Sequence, residues 1–207
     1  QIMRRIGVDA FIVPTNDPHL SEYTSPYYQR REYISGFTGS AGTAVVTSDA
    51  AVLFTDGRYH QQASLELDDK YWTLMKSGLE GVPTLNEWIS QNLDKGSCLG
   101  IDAALHATEY VLRTRRMLEA NGLQMKVLRA NPIDDVWNND GRPNMPQTCV
   151  RKHDIKYAGL TVEQKLKAIR SHFGQQDELK ADAACEVSAL VCSALDEIAY
   201  VFNIRGA

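Results

Sequence analysis

Two apolar runs, GTAVVT at residues 42–47 and AVLFT at 51–55, are separated only by Ser48, Asp49 and Ala50. So short a connection joins antiparallel neighbours, because parallel strands need a crossover of about a dozen residues or more. The resulting hairpin decides how the text before it is read. In YISGFTGSAG (33–42) the glycines open a strand, whereas phosphate-binding loops run strand, glycines, helix, so that helix amides meet the anion. The spacing Gly36-x-x-Gly39-x-x-Gly42 fits neither common phosphate fingerprint, and no lysine follows it. Ser40 likewise leads into a β-like run, not the helix that a nucleophile elbow requires. Gly36, Gly39 and Gly42 are therefore read as turn glycines feeding the hairpin.

DAFIVP (9–14) predicts a strand, and Asp17 followed by Pro18 predicts an N-cap with proline at the first helical position. Asp56 is expected to cap a helix running to about Leu67. Further β-like runs are YWTLM (71–75), CLGID (98–102) and LQMKVL (123–128), and helical patterns lie at 84–92 and 108–120, where Gly122 closes the second. This alternation gives an α/β fold with a mixed sheet flanked by helices.

From Asp134 to Asp154 the text loses periodicity and gathers Asn, Asp, Gly and Pro, which marks a linker. We expect a first domain over 1–145, a linker over 146–158, and the beginning of a second, similar domain over 159–207. Thr161 with Gln164 makes a capping box, and Val162, Leu166, Ile169 and Phe173 trace one helical face. The second unit repeats the first in outline, with a strand near 185–192 corresponding to that at 9–14 and an acidic helix start at Asp196 and Glu197. Because the chain opens at Gln1 and stops at Ala207, before the second copy reaches a hairpin, it is expected to be a piece of a longer protein.

The 207 residues, 43% hydrophobic, can supply a packed core. A formal net charge of −4 argues against a sequence-independent nucleic-acid binder, which needs a cationic face. No apolar run approaches the roughly 20 residues of a membrane span, and no secretory core opens the chain. The four cysteines form no C-x-x-C pair, so neither a disulfide scaffold nor a cysteine zinc site is indicated, and a reducing cytosol fits. Cys185 and Cys192 are read as buried packing thiols.

Few residues carry chemistry. Asp17, His19 and Glu22 lie close enough on one short helix to suggest metal ligation, but a capped helix tying down a loop is the better reading, since a metal site needs more convergent ligands. Arg113, Arg115 and Arg116 read as a solvated helix face. In Asp56-Gly57-Arg58, Asp56 serves as a cap and Gly57 permits a close turn. Arg58 would oppose the helix dipole unless an acid held it, with Asp17 or Glu22 as the expected partner.

PTNDPHLSEY, RREYISGFTGSAGTAVVT, FTDGRYHQQA, WTLMKSG and SALDEIAYVFNIRG, in that order, resemble the three-domain aminopeptidase P (Xaa-Pro aminopeptidase) branch of the creatinase/prolidase family. The resemblance covers the whole chain but only the front of such an enzyme. Pro18 stands where that pattern often has Ala, and Phe54 where Trp is common. The resemblance implies two creatinase N-terminal-like domains ahead of a catalytic domain that is absent here. In that missing domain two Asp, one His and two Glu hold two Mn²⁺ ions and cleave peptides with proline second. It further implies a cytoplasmic, homodimeric enzyme, with Arg205 the candidate for a substrate-pocket rim. No catalytic residue, metal ligand or cofactor is expected within this chain, nor a nucleic-acid or membrane partner. The alternative is a non-enzymatic interaction module of the kind found in a histone chaperone.

Overall fold

The computed structural model describes residues 1–173 and 188–206, which fall into two units, 1–145 and 146–207. The first begins with α1 (Ile2–Ile6), β1 (Ala10–Pro14) and α2 (Arg30–Ser35). The hairpin β2 (Thr43–Thr47) and β3 (Ala51–Thr55) follows, then α3 (His60–Glu66) and β4 (Thr73–Lys76). The unit continues through α4 (Leu85–Asn92), β5 (Cys98–Asp102), α5 (Thr108–Ala120), β6 (Gln124–Leu128) and α6 (Pro132–Trp137).

Thr43 pairs with Phe54 and Val46 with Ala51, and the Thr47 hydroxyl accepts from the Ala50 amide at 2.9 Å to close the turn. The strand order is β4-β3-β2-β1-β5-β6, with β2 antiparallel to both neighbours and every other adjacent pair parallel. Five strands therefore point one way and β2 alone is reversed. Both faces are covered, which is why β1 reads as a continuous apolar run. Ala10 and Ile12 join Trp88, Ile89, Leu99 and Leu118 on one face, while Phe11 and Val13 join Phe37, Ala44, Leu53 and Ala63 on the other.

The hairpin and the helices at 84–92 and 108–120 stand where the patterns put them. Thr84 and Glu87 form a capping box at the first of these helices. Arg113, Arg115 and Arg116 are exposed on α5, as expected of a solvated face. The helix expected after Asp17 is absent. Instead the Asp17 carboxylate accepts from the amides of His19 and Ser21, both at 2.9 Å, and Leu20 takes a positive φ of 55°. The Asp side chain supplies the turn that proline was expected to start as a helix.

Helices α1, α2 and α6 carried no clear periodic signal. Helix α6 is anchored by Asp134, whose carboxylate takes Arg30 at 2.7 Å and Arg142 at 3.0 Å. Arg142 also lies 3.6 Å from the Tyr27 ring centroid and donates to the Tyr27 carbonyl. The aperiodic text after Asp134 thus begins as a fastened helix.

In the second unit β7 (Arg151–Lys152) and α7 (Ile155–Ala158) occupy the segment read as a linker, followed by α8 (Val162–Arg170), α9 (Leu195–Phe202) and β8 (Ile204–Arg205). The Thr161–Gln164 capping box is present, and Val162, Leu166, Ile169 and Phe173 are half-buried. The residue that α8 buries most deeply is Lys165. Its ammonium donates to the Tyr200 carbonyl and the Asn203 Oδ1, both at 2.7 Å, and lies 3.7 Å from the Tyr200 ring. Strand β8 pairs antiparallel with β7. Of the strand expected at 185–192, residues 185–187 lie outside the described residues and 188–192 form no strand, so the correspondence with β1 does not appear in the described part. Cys185 also lies outside it. Cys192 is half-exposed beside Glu197, not buried among apolar groups.

Candidate functional site

With five strands co-directional, their carboxyl ends share one edge of the sheet, the usual place for ligands in α/β folds. The loop into β2 meets the ends of β1 and β3 there: the Gly42 amide donates to the Thr15 hydroxyl, the Thr55 hydroxyl donates to the Ala41 carbonyl, and Glu22 and Gly39 line one hollow with Arg31. Arg31, from α2, is the organising side chain. It is 3% exposed. Its Nε donates to the Thr15 hydroxyl at 3.0 Å, Nη1 to the Phe37 carbonyl at 3.0 Å, and Nη2 to the Gly39 carbonyl. Thr15 in turn accepts from the Gly42 amide at 3.1 Å and donates to its carbonyl at 2.8 Å. One guanidinium therefore fastens the end of β1 to the loop that enters β2. Burial lowers its pKa to about 10 against the opposing pull of Glu32 and Glu66, so the group stays charged at neutral pH.

The motif glycines have separate tasks. Gly36 ends α2 at φ 73°, a left-handed cap. At Gly39 a Cβ would lie 2.3 Å from Phe37 Cζ and 2.7 Å from Tyr59 Cδ1. At Gly57 a Cβ would meet nothing within 4 Å, so the close turn expected there does not require glycine.

Arg58 is not held by Asp17 or Glu22. It pairs with Asp56, two residues back, with Nε and Nη2 each 2.9 Å from a carboxylate oxygen. Asp17, only 3% exposed, is committed to its own backbone turn, and Glu22 lines a cavity beside Arg31. Asp56 accordingly caps the turn before α3, accepting from the Arg58 amide at 3.1 Å, while Tyr59 occupies the helix N-cap. The fork of Arg58 holds Asp56 near pKa 2. Both partners are exposed, so Arg58→Ala should leave the melting temperature within error, as expected for a screened surface pair. A clear fall on thermal unfolding would contradict this.

Asp17, His19 and Glu22 make no metal centre. Among the described residues no three His, Cys, Asp or Glu side chains come together to hold an ion. Arg205 is exposed on β8, opposite Arg151.

His106 stands after β5, stacked 5.0 Å from the Tyr110 ring. Burial lowers its pKa below 6.5, with Asp102 acting in the opposite direction. As pH falls the unfolded chain binds the proton first, so stability is full above about pH 6.5 and declines below it. The His106→Gln variant should show a flatter loss of melting temperature between about pH 7 and 5; an unchanged slope would exclude this residue as the cause.

Arg30 and Arg31 were quoted in the resemblance without a role. The dipole argument applied to Arg58 holds for them with more force, since both open α2, and it would have marked them as requiring buried partners.

Residues 1–128 match a family model described as the Creatinase/Prolidase N-terminal domain, and residues 141–207 match a second model with the same description. The chain is 45% identical over 202 residues to aminopeptidase P2 of Arabidopsis thaliana, covering 97% of this chain and 27% of that protein. It is 41% identical to a probable Xaa-Pro aminopeptidase P of Talaromyces marneffei, covering 100% and 30%. A crystal structure of X-prolyl aminopeptidase from Caenorhabditis elegans, described as a cytosolic enzyme with a di-nuclear active site, superposes with a TM-score of 0.85 at 35% identity, over 96% of this chain and 31% of that one. The chain thus spans less than a third of the length of these relatives. With a family model matched over more than half its length, it belongs to the creatinase/prolidase N-terminal domain family.

Proposed function

We propose that this chain is the non-catalytic front part of a metallo-aminopeptidase that removes the N-terminal residue from peptides with proline second. The observation that carries the reading is the 45% identity to an aminopeptidase P over 97% of this chain but only 27% of that protein. Metal-activated hydrolysis needs several oxygen or nitrogen ligands around each ion. The described residues gather no such set, so we assign the ions, proposed as two Mn²⁺, to the part of the parent protein outside this chain. The reading further assigns domains to 1–145 and 159–207 with a joining segment at 146–158, a cytoplasmic homodimer, and Arg205 at the rim of the substrate pocket. The chaperone-like alternative draws no support from the relatives above, whose names are those of aminopeptidases.

The test compares the 207-residue chain with a polypeptide extended to the length of the relatives, both dialysed against Mn²⁺. The extended form should release the first residue of an Xaa-Pro peptide, and the 207-residue chain should release none. Turnover by the short chain, or its absence in the long one, would overturn the proposal.

A further inference from the structure

Asp56, Asn121 and Asp140 each precede a glycine. At such steps the glycine amide nitrogen can attack the preceding side-chain carbonyl carbon, since glycine has no Cβ to obstruct the approach. The fold treats the three differently. Asn121 ends α5, where its Nδ2 donates to the Met117 carbonyl at 2.8 Å and the Gly122 amide donates to the Glu119 carbonyl at 3.1 Å. Electrophile and nucleophile are both tied to the helix. At Asp56 the Arg58 fork holds each carboxylate oxygen at 2.9 Å, which keeps the group ionised. An ionised carboxylate resists attack, because it has no hydroxyl to lose as water.

Asp140 has neither protection. It is exposed just beyond α6, and the Gly141 amide donates to no described residue. Gly141 takes a φ of 83°, and a Cβ there would meet nothing within 4 Å, so the backbone has room to turn. One carboxylate oxygen of Asp140 accepts from the Tyr33 hydroxyl, and the other is bonded to no described residue.

We propose that Asp140–Gly141 is a site of spontaneous aspartate isomerisation. The Gly141 nitrogen bonds to Cγ of the neutral Asp140 carboxyl, and the carboxyl hydroxyl leaves with the amide hydrogen as water, closing a succinimide ring. Water then adds at either imide carbonyl. Cleavage of the new N–Cγ bond restores aspartate. Cleavage of the original peptide bond leaves isoaspartate, with the chain running through Cγ and the α-carboxylate as a branch. No oxidant or cofactor is consumed. The product lengthens the backbone by one methylene between Trp137 and Arg142, whose amide donates to the Trp137 carbonyl at 3.0 Å and whose guanidinium holds Tyr27 and Asp134. Isomerisation therefore slackens the fastening of α6 and creates a substrate for enzymes that methylate isoaspartyl carboxylates.

The folded 207-residue chain would be incubated for weeks at physiological temperature and mildly acidic pH, then digested. Isoaspartate at each position is read by chromatographic separation of the peptides and electron-transfer fragmentation. It should accumulate at 140 several-fold faster than at 56 or 121. The Asp140→Glu variant keeps a carboxylate for Tyr33 but requires a larger, slower-closing ring, so it should lose the signal at 140. Arg58→Ala frees an exposed carboxylate and should raise the rate at 56 several-fold. In denaturant Asn121 should become the fastest of the three, because its protection lies in the fold. No isoaspartate at 140, an equal or higher rate at 56 or 121 in the folded chain, an unresponsive Asp56 in Arg58→Ala, or a slow Asn121 in denaturant would each overturn the proposal.

Discussion

Replacing Arg31 with methionine should lower the melting temperature of the first unit by roughly 6–12 °C. The substitution keeps an unbranched stem but strips donors from the Phe37 and Gly39 carbonyls and the Thr15 hydroxyl. Buried acceptors left unsatisfied cost about 1–3 kcal/mol each, and the cavity beside them lets water recover part of that loss, for a net cost of about 3 kcal/mol. At this size each kcal/mol moves the midpoint by about 2–4 °C. Arg31→Lys keeps the charge without the planar fork, so it should recover only part of the loss. Trp72, Trp88 and Trp137 are the only tryptophans and all lie in the first unit, so their fluorescence reports this transition. Equal midpoints for wild type and Arg31→Met would show that the guanidinium contributes nothing net.

Gly39→Ala should cost about 2 kcal/mol, or roughly 4–8 °C, through overpacking. The added methyl would lie well inside contact distance of two rings, and Phe37 is fully buried, so it cannot simply swing away. Phe37→Leu alone should also destabilise, by opening a cavity. Combined with Gly39→Ala it should cost less than the sum of the two, because the smaller side chain makes room for the methyl. Strict additivity in the double-mutant cycle would rule out this collision as the cause.

The hairpin was legible because β2 and β3 lie three residues apart, so their pairing is a local decision. Helices α4 and α5 were legible because each buries one stripe of a periodic pattern. Helix α2 was not: six residues are too few to establish a period, and its buried groups include two arginines, whose burial depends on carbonyls and a carboxylate supplied from distant segments. The same limit applies to Lys165, polar in sequence yet buried by acceptors at 200 and 203. Asp17 and Asp56 were recognised as capping residues, but each caps a turn, since an Asx side chain satisfies the nearest free amides whether or not a helix follows. Arg58 finds its partner in Asp56, two residues away, and not across the sheet, because a local carboxylate is within reach before any tertiary packing forms. Of the cavity at the carboxyl edge, Glu22 was singled out, whereas Arg31 and Glu32 acquire their place only once α2 exists.

The single reversed strand has a consequence for the order of synthesis. Strands β1 to β4, adjacent in the sheet, are all encoded by residues 10–76. A nascent chain of that length can therefore complete two-thirds of the sheet around the fast-forming hairpin. Strand β1, which becomes central, is meanwhile an open edge until residues 98–102 emerge to cover it. At about 5–20 residues per second, that leaves an apolar strand exposed for on the order of seconds on the ribosome. During that interval the growing chain is at its most vulnerable to pairing with a neighbour.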